Sequence, residues 1–379
     1  MTSLSPEQAG LAPTAGIAGI AGIAGIAGIA GIGGEAAIAA CLINNRDGIV
    51  GRWTPTSSGP MPLQLEDATN LDRWSSRVRA GIIDYEMFSR LGFSQKQDTG
   101  RFTVWHLKTS AASGNQPPMT RYSRLFNMSR PSLAVFENQL EYLNQYAALR
   151  SDRAEEILFQ INGAMDFFFP IIGVHPERAK WTVELISAAQ RMAFITEMRF
   201  KQALACRRPD EYSPQVQPMI QTPAHGSLPS GHATECFTVA MVLIRLMKAA
   251  AAGSGGGVLA QMPLLGQQIM RQAARIAINR TVAGVHFPVD SVAGAVLGLT
   301  LGSYLADRCE GKPGYRSWRF IGPAFPGDAD FDWQTLYDVE KDTFKPVDYT
   351  HQPDDRLFGG DTQSPLLAEF WNKALSEWS

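Results

Sequence analysis

The chain has 379 residues, of which 45% are apolar and 18% are charged, and its formal net charge is −2. This length and composition are sufficient for a sizeable buried core in one large domain or two. So small a net charge excludes a global field that would attract nucleic acid, so we predict no nucleic-acid partner and expect functional cations to act locally.

The N-terminal segment is a low-complexity repeat. Residues 15–32 are six copies of Ala-Gly-Ile, and residues 10–34 carry no charge. A membrane span is one interpretation, but Gly at every third position weakens a helix, and no Lys or Arg precedes Arg46. A secretory signal would also need a positive start. We therefore predict a tail over 1–45 that is peripheral to the chemistry, with an anchor or an export signal as alternatives, and the compartment stays open.

The next two regions differ in their apolar spacing. Residues 46–130 mix Trp, Pro, Gly and Ser with one amphipathic stretch at 71–91, which predicts loops and one or two helices that wrap the core. From residue 131 the spacing becomes helical, and the inward stripes are typical of a buried core. The predicted helices are 133–149, 154–169, 176–205, 261–277 and 289–306. We predict a helical catalytic core over 131–311.

Two further predictions concern the surroundings of this core. No charge-free apolar run of about 18 residues occurs after residue 50, so we predict a soluble catalytic unit and expect no membrane contact. Residues 312–379 are rich in Pro, Gly, aromatic residues and Asp, with a short predicted helix at 366–378. This loop-rich extension either covers the mouth of a site or simply packs on the core.

The first group of candidate site residues is a pair of cations. Lys201 and Arg208 are seven residues apart, almost two helical turns, which predicts that both lie on one helix face. Pro209 disfavours the α conformation at Arg208, so the helix should end there. Lys supplies a point charge, and Arg a planar fork that suits phosphate-like oxygens. Without other evidence, the pair is equally typical of a solvated helix face.

The second group is the tetrapeptide Pro229-Ser230-Gly231-His232. Ser230 is a good N-cap, and the residues from Ala233 to Leu246 have an apolar helical face, so the tetrapeptide predicts a turn that opens a helix. Free backbone N–H groups from Gly231 onward, with the positive end of the helix dipole, would bind an anion. His232 would stand beside that anion as an acid or a base. The alternative is that the tetrapeptide is a capped turn with no role in anion binding.

The third group is Arg280, His286 and Asp290. Pro288 suits the first turn of a helix, which puts His286 just before that helix and Asp290 within its first turn. Asp290 could accept a hydrogen bond from one ring nitrogen of His286 and leave the other as a nucleophile or a ligand. A His near an Asp is otherwise often structural, but the three groups together predict one site for a tetrahedral oxyanion.

In this order the three groups resemble the signature of the type 2 phosphatidic acid phosphatase (PAP2) and vanadium-dependent haloperoxidase superfamily. The signature reads Lys, six residues, Arg-Pro; then Pro-Ser-Gly-His; then Ser-Arg, five residues, His, three residues, Asp. The chain departs from it at Asn279, where Ser is usual, a position outside the usual anion ligands. The resemblance spans roughly residues 176–308 and implies an all-α helical bundle with few or no strands.

The resemblance also implies the roles of the residues. The oxyanion would be held by Lys201, Arg208, Ser230, Gly231 and Arg280, with His232 facing its apical oxygen. His286, oriented by Asp290, would be the nucleophile that forms a phosphohistidine, with His232 protonating the leaving alcohol. Alternatively, His286 would be the single protein ligand of vanadate, and Lys201 would polarise hydrogen peroxide bound there for the oxidation of a halide.

Three features favour the haloperoxidase. The length is typical of smaller bacterial haloperoxidase-like proteins, and Ala233-Thr234 after His232 is similar to their form. His225 stands seven residues before His232, where bromide-using enzymes have His, the fungal chloride-using enzyme has Phe and acid phosphatases tend to have Asp. His225 could equally be a surface loop residue, and Gly226-Ser227 looks more like the phosphatase version.

We therefore predict a vanadium-dependent haloperoxidase that oxidises bromide or iodide with hydrogen peroxide. Its cofactor would be vanadate bound to His286, phosphate could occupy the same site, and His225 would influence the choice of halide. The alternative is an acid phosphatase acting through a phosphohistidine. A third interpretation is a binding-only relative, against which the retention of both histidines and Asp290 argues. Related haloperoxidases make a homodimer the default expectation.

Overall fold

The computed structural model describes residues 35–54, 59, 61–96, 100–110, 119–254, 260–351, 358–359 and 363–378. The Ala-Gly-Ile repeat, and with it the predicted tail and its anchor and export-signal alternatives, lies outside the described residues.

The chain divides into two compact units, residues 1–81 and residues 82–379. The first contains helix α1 (Glu35–Ile49) and a short 3-10 helix at Ala68–Arg73. Helix α2 (Ser76–Phe88) crosses the boundary in the sequence. All the candidate site residues belong to the second unit, so that unit is the one that positions the site.

Helices make up most of the second unit. Each helix predicted from residue 133 onward is present, with ends that differ by up to about six residues from the prediction. The helices of this unit after α2 are α3 (Leu133–Tyr146), α4 (Arg150–Gly163), α5 (Phe169–Ile172), α6 (Lys180–Leu204), α7 (Pro209–Tyr212), α8 (Gly231–Ser254), α9 (Met262–Val282), α10 (Pro288–Cys309) and α11 (Pro365–Leu375).

The prediction of an all-α fold is wrong in part, because a four-stranded sheet accompanies the helices. Strands β1 (Leu91–Lys96), β2 (Arg101–Ser110) and β3 (Met119–Ser129) are antiparallel, with Leu91 opposite His106. The β-branched and aromatic residues of β2 favour a strand. The mixed composition of residues 46–130 predicted loops with one or two helices, and it did not predict these strands.

The C-terminal region completes this sheet and adds two small ones. Strand β5 (Trp318–Ile321) runs parallel to β3, which gives the order β1-β2-β3-β5. The two-stranded sheets pair β4 (Gly314–Tyr315) with β8 (Phe358–Gly359) and β6 (Tyr337–Asp338) with β7 (Thr343–Phe344). The predicted loop-rich extension therefore contributes a strand to a sheet that begins near residue 91.

The centre of the unit is the pair α8 and α10, which pack with their backbones in contact. A Cβ at Gly294 would lie 2.7 Å from the Ser230 carbonyl oxygen, and one at Gly298 would lie 2.4 Å from the Thr234 carbonyl oxygen. At the start of both helices the Ser230 N–H donates to the Asp290 carbonyl oxygen at 2.9 Å. The second and third groups of candidate residues are therefore joined at one end of the bundle.

The same two helices are long and apolar enough to cross a membrane. Their apolar windows, within Gly231–Gly253 and Pro288–Cys309, are 61% and 94% buried inside the protein. Such burial is expected of core helices as well, so their composition does not separate a membrane span from a core position. The predicted solubility of the catalytic unit stays a prediction.

Candidate functional site

All three groups of candidate residues meet at this end of the bundle. We use the term anion seat for the residues predicted to hold the oxyanion: Lys201, Arg208, Ser230, Gly231, Arg280 and His286. Within the seat, Arg208 contacts His286, and the turn at Ser230 is bonded to Asp290. His232 lies at the start of α8, and His225 lies in the loop before it.

Lys201 lies in the last turn of α6 and is buried. Its ammonium donates to the carbonyl oxygens of Gly226 and Ser227, both at 3.2 Å, and of Pro229. Burial lowers the pKa of Lys201 to about 8, against the opposing charge of Glu197. Lys201 therefore holds the loop before α8 together.

Arg208 is not on the same helix as Lys201, which corrects the prediction of a shared helix face. Helix α6 ends at Leu204 because Ala205 adopts the left-handed conformation with φ +48°. As Pro209 requires, Arg208 is extended, and it stands at the start of α7 with its N–H bonded to the Glu211 carboxylate at 2.8 Å. The chain turns between the two cations, so Arg208 reaches the seat from a separate segment.

The guanidinium of Arg208 joins the two histidine segments. Its Nη1 donates to the Val285 carbonyl oxygen at 2.7 Å and to His286 Nε2 at 2.9 Å. Its Nε donates to the His225 carbonyl oxygen at 2.9 Å, and its Nη2 lies 3.1 Å from His225 Nδ1. His225 is exposed, so it is a rim residue that positions Arg208. The structure therefore supplies a structural reason for His225 besides the predicted halide selectivity.

His286 and Asp290 make the predicted contact, with 3.1 Å between Nδ1 and Oδ2. Because Arg208 can only donate, the Nε2 of His286 carries a lone pair and its Nδ1 carries the proton. Burial and the charge of Arg208 hold the pKa of His286 well below its usual range, so the ring is neutral. Asp290 also accepts from the Ser227 hydroxyl and from the Phe287 N–H. This set fixes the ring with its basic nitrogen toward the seat.

His232 is oriented by a residue that the sequence analysis did not single out. Its Nε2 lies 2.9 Å from the Gln160 carbonyl oxygen, which requires a proton on Nε2 and leaves Nδ1 as the acceptor of a neutral ring. Burial and the charge of Arg280 lower the pKa of His232 to about 3. The neutral ring of His232 therefore has its acceptor at Nδ1, and an anion beside the ring would raise its pKa.

Arg280 is the open member of the seat. Only Nη2 is engaged, donating to the Ile157 carbonyl oxygen and to Gln160 Oε1, each at 3.1 Å. Its Nε and Nη1 are buried and have no hydrogen-bond partner among the described residues. A buried donor without a partner is costly, and Nε and Nη1 lie on different edges of the guanidinium, so each can donate to a ligand oxygen separately. Arg280 therefore presents two donors for a ligand.

Gln160 also explains the departure at Asn279. Its side-chain oxygen accepts from Asn279 Nδ2 at 2.9 Å as well as from Arg280, and its Nε2 donates to the Glu156 carboxylate at 2.9 Å. Asn279 thus steadies Gln160 on the side away from the oxyanion. Gln160 is fully buried, and no sequence motif marked it for this role.

Two buried acids were also missed by the sequence analysis. Glu197 is 1% exposed and lies one turn before Lys201. Glu235 lies one turn after Gly231 and accepts from Gln190 Nε2 at 2.7 Å. Burial raises the pKa of both carboxyls, that of Glu235 to about 7. No motif marked them, because neither residue belongs to the three groups of candidate residues.

With this geometry described, comparison with known proteins identifies the class. Residues 182–307 match the family model of the PAP2 superfamily, and this range contains the entire anion seat. Over these residues the chain is similar to the PAP2 superfamily. Its members are enzymes, either phosphatases or haloperoxidases.

Two further comparisons were made. No curated protein matches the chain. Among solved structures it is similar to the first transmembrane PAP2 type phosphatidylglycerolphosphate phosphatase from Bacillus subtilis, at 18% sequence identity and a TM-score of 0.30. That alignment covers 47% of this chain and 84% of the other.

Proposed function

We propose that the chain is a phosphatase that hydrolyses phosphate monoesters through a phosphohistidine at His286. The observation that carries this proposal is the neutral His286 ring, whose Nδ1–H is held by Asp290 and whose Nε2 lone pair lies 2.9 Å from Arg208. This function was the alternative in the sequence analysis; the haloperoxidase prediction is not confirmed.

Binding would begin at Arg280. Its two unpartnered donors face no competing protein acceptor among the described residues, so they can take two phosphate oxygens without breaking an existing bond. The hydrogen bond from Arg208 Nη1 would change its acceptor from His286 Nε2 to a phosphate oxygen. The lone pair on His286 Nε2 would then be free to attack. The N–H groups at the start of α8 add the positive end of a helix dipole.

The first chemical step is attack of His286 Nε2 on phosphorus, which forms the P–N bond and breaks the ester P–O bond. Positive charge develops on the ring and is stabilised by Asp290 through Nδ1. The phosphate dianion raises the pKa of His232, so that the ring takes up a proton on Nδ1, and it donates this proton to the leaving alkoxide. In the second step His232 accepts a proton from water, the water oxygen attacks phosphorus, and the P–N bond breaks.

The test compares two reactions on one purified protein. We expect hydrolysis of an aryl phosphate, inhibited by orthovanadate because its five-coordinate form resembles the transition state. The same preparation, supplied with orthovanadate, hydrogen peroxide and bromide, should not brominate a phenolic dye. Bromination without hydrolysis would overturn the phosphatase proposal, and silence in both assays would favour a binding-only relative.

The haloperoxidase is the second candidate, favoured by the exposed His225 ring 3.1 Å from Arg208 at the rim. The residues present fit vanadate, since Arg280 offers two buried donors and His286 offers a lone pair. His286 would be its protein ligand, and the rest of the anion seat would hold its oxygens. Bound vanadate would supply activation of hydrogen peroxide for oxidation of bromide or iodide. His225 would then face the halide.

A further inference from the structure

Glu197 places a carboxylate against an anion-binding turn. Its Oε1 lies 2.5 Å from the position that a Cβ would occupy at Gly231. Its Oε2 is buried and has no hydrogen-bond partner in the part of the chain that the structure describes. An ionised carboxylate here would oppose the anion for which the N–H groups of that turn are suited.

The charged groups that face Glu197 come from three segments. Lys201 lies on its own helix, Arg208 on the segment after it and Glu235 on α8. Burial, and after it the charge of Glu235, raise the pKa of Glu197 well above its usual range, and the two cations oppose this. Glu235 accepts one hydrogen bond, from Gln190, and its charge also raises the pKa of the Cys236 thiol.

The cations of the seat are matched in number by carboxyls. Its three cations are Lys201, Arg208 and Arg280. The carboxyls around them are Glu197, Glu235 and Asp290, so with all three ionised the charges would balance. Adding a dianion to this set would leave uncompensated negative charge in a desolvated site, which is costly. A proton taken up by a carboxylate removes that charge where it is closest to the anion.

We propose that Glu197, supported by Glu235, carries a proton whenever the seat holds a tetrahedral anion, so that an anion and a proton bind together. The inference rests on the proposed anion site and adds a second ligand, the proton, to it. Protonated Glu197 is neutral and can donate from the oxygen that lacks a partner. Because the ionised form opposes the anion, affinity is full below the pKa of Glu197 and declines as pH rises through it.

Sulfate is the probe, because it is a tetrahedral dianion that does not titrate near neutral pH. Titration calorimetry in two buffers of different ionisation enthalpy gives the protons taken up per sulfate bound. His232 and Lys201 also gain affinity for a proton when an anion binds, so their uptake should appear in both proteins. In Glu197→Gln, an isostere of the protonated acid, the further uptake of about one proton that belongs to Glu197 should be lost.

Affinity supplies the second readout. Above the pKa of Glu197, the wild type should lose sulfate affinity by up to about tenfold per pH unit, while Glu197→Gln keeps it. Lys201 loses its proton at high pH in both proteins, so its contribution appears in both curves. In Glu235→Gln the uptake curve should move to lower pH, because a charge that raises the pKa of Glu197 is gone.

Glu310→Gln is the matched control, since Glu310 is a partly buried acid that pairs with Arg245 away from the seat. Its uptake curve should coincide with that of the wild type. Identical uptake curves for the wild type and Glu197→Gln would overturn the inference while leaving the phosphatase proposal intact. If Glu197→Gln does not fold, an unshifted curve in Glu235→Gln overturns it. Failure of the wild type to bind sulfate would overturn both.

Discussion

The two sides of the anion seat differ in how their cations are bonded. On one side, Lys201 donates to carbonyl oxygens of the loop before α8, and Arg208 donates to carbonyl oxygens of that loop and of the segment before α10. Arg208 also contacts the rings of His225 and His286. On the other side, Arg280 leaves Nε and Nη1 without partners among the described residues. The first side thus shapes the seat, and the second is open to the ligand.

Cations of equal charge in one site can therefore have different roles. A cation whose donors are satisfied by the protein contributes charge and holds segments in place, so its loss should weaken folding. A cation with free donors is kept at a cost in stability, and its loss should weaken binding without weakening folding. The predictions below separate these two roles.

The largest effect is expected at the residue that both sides serve. His286→Ala removes the nucleophile and should lower the rate of aryl phosphate hydrolysis by about 10⁴-fold or more. The measurement is the rate of hydrolysis beside the circular dichroism spectrum. A folded variant that keeps full activity would remove the seat from the mechanism altogether.

The next effect belongs to the open side. Arg280→Met should weaken sulfate binding by about 100-fold, the loss of charge-assisted hydrogen bonds from two donors. Its melting temperature should stay near that of the wild type, because only one of its three nitrogens has protein partners. Calorimetry and thermal unfolding on one sample give both numbers. A large fall in melting temperature would contradict the comparison.

On the shaping side, Lys201→Met should destabilise the fold by about 3 kcal/mol, because buried carbonyl oxygens of the loop lose their donor. Chemical denaturation gives the free energy of unfolding. Lys180→Met is a suitable control, since Lys180 is exposed at the opposite end of the same helix. If the two variants unfold alike, the loop does not depend on Lys201.

The smallest effect is expected at Gln160, which supports Arg280 and is not itself predicted to contact the oxyanion. Gln160→Met removes an acceptor of Arg280 and the anchor to Asn279. We expect KM for an aryl phosphate to rise by about tenfold with a smaller change in kcat, the loss of about one hydrogen bond to a charged group. Gln145→Met, at an exposed Gln of α3, should change neither constant. A fall in kcat with an unchanged KM would contradict the role of the Gln160 side chain in supporting Arg280.

The sequence predicted the helices and the meeting of the three motifs better than the contacts inside the site. The contact of His286 with Asp290 followed from a spacing of four residues at a helix start. The shared face of Lys201 and Arg208 did not hold, since the left-handed Ala205 ends α6 early. A helical period does not predict where one residue leaves the helical region.

Other parts of the site could not be predicted because they depend on distant segments. Gln160 reaches Arg280 from a helix about 120 residues earlier, and Glu197 meets Gly231 only once α6 packs against α8. The sheet was missed for a similar reason: β5 pairs with β3 across almost the entire helical core. Local patterns predict local structure, and such pairings lie beyond them.

The contact between α8 and α10 makes distant positions relevant to chemistry. Because Gly298 meets the Thr234 backbone and the Ser230 N–H bonds to Asp290, any side chain larger than hydrogen at 298 would wedge these helices apart. That wedge would separate the turn that receives the anion from the histidine that attacks it. The distance between the anion-binding turn and His286 therefore depends partly on Gly298, which lies two to three helical turns from the site. A mutation there would not be noticed by inspecting the active-site residues alone.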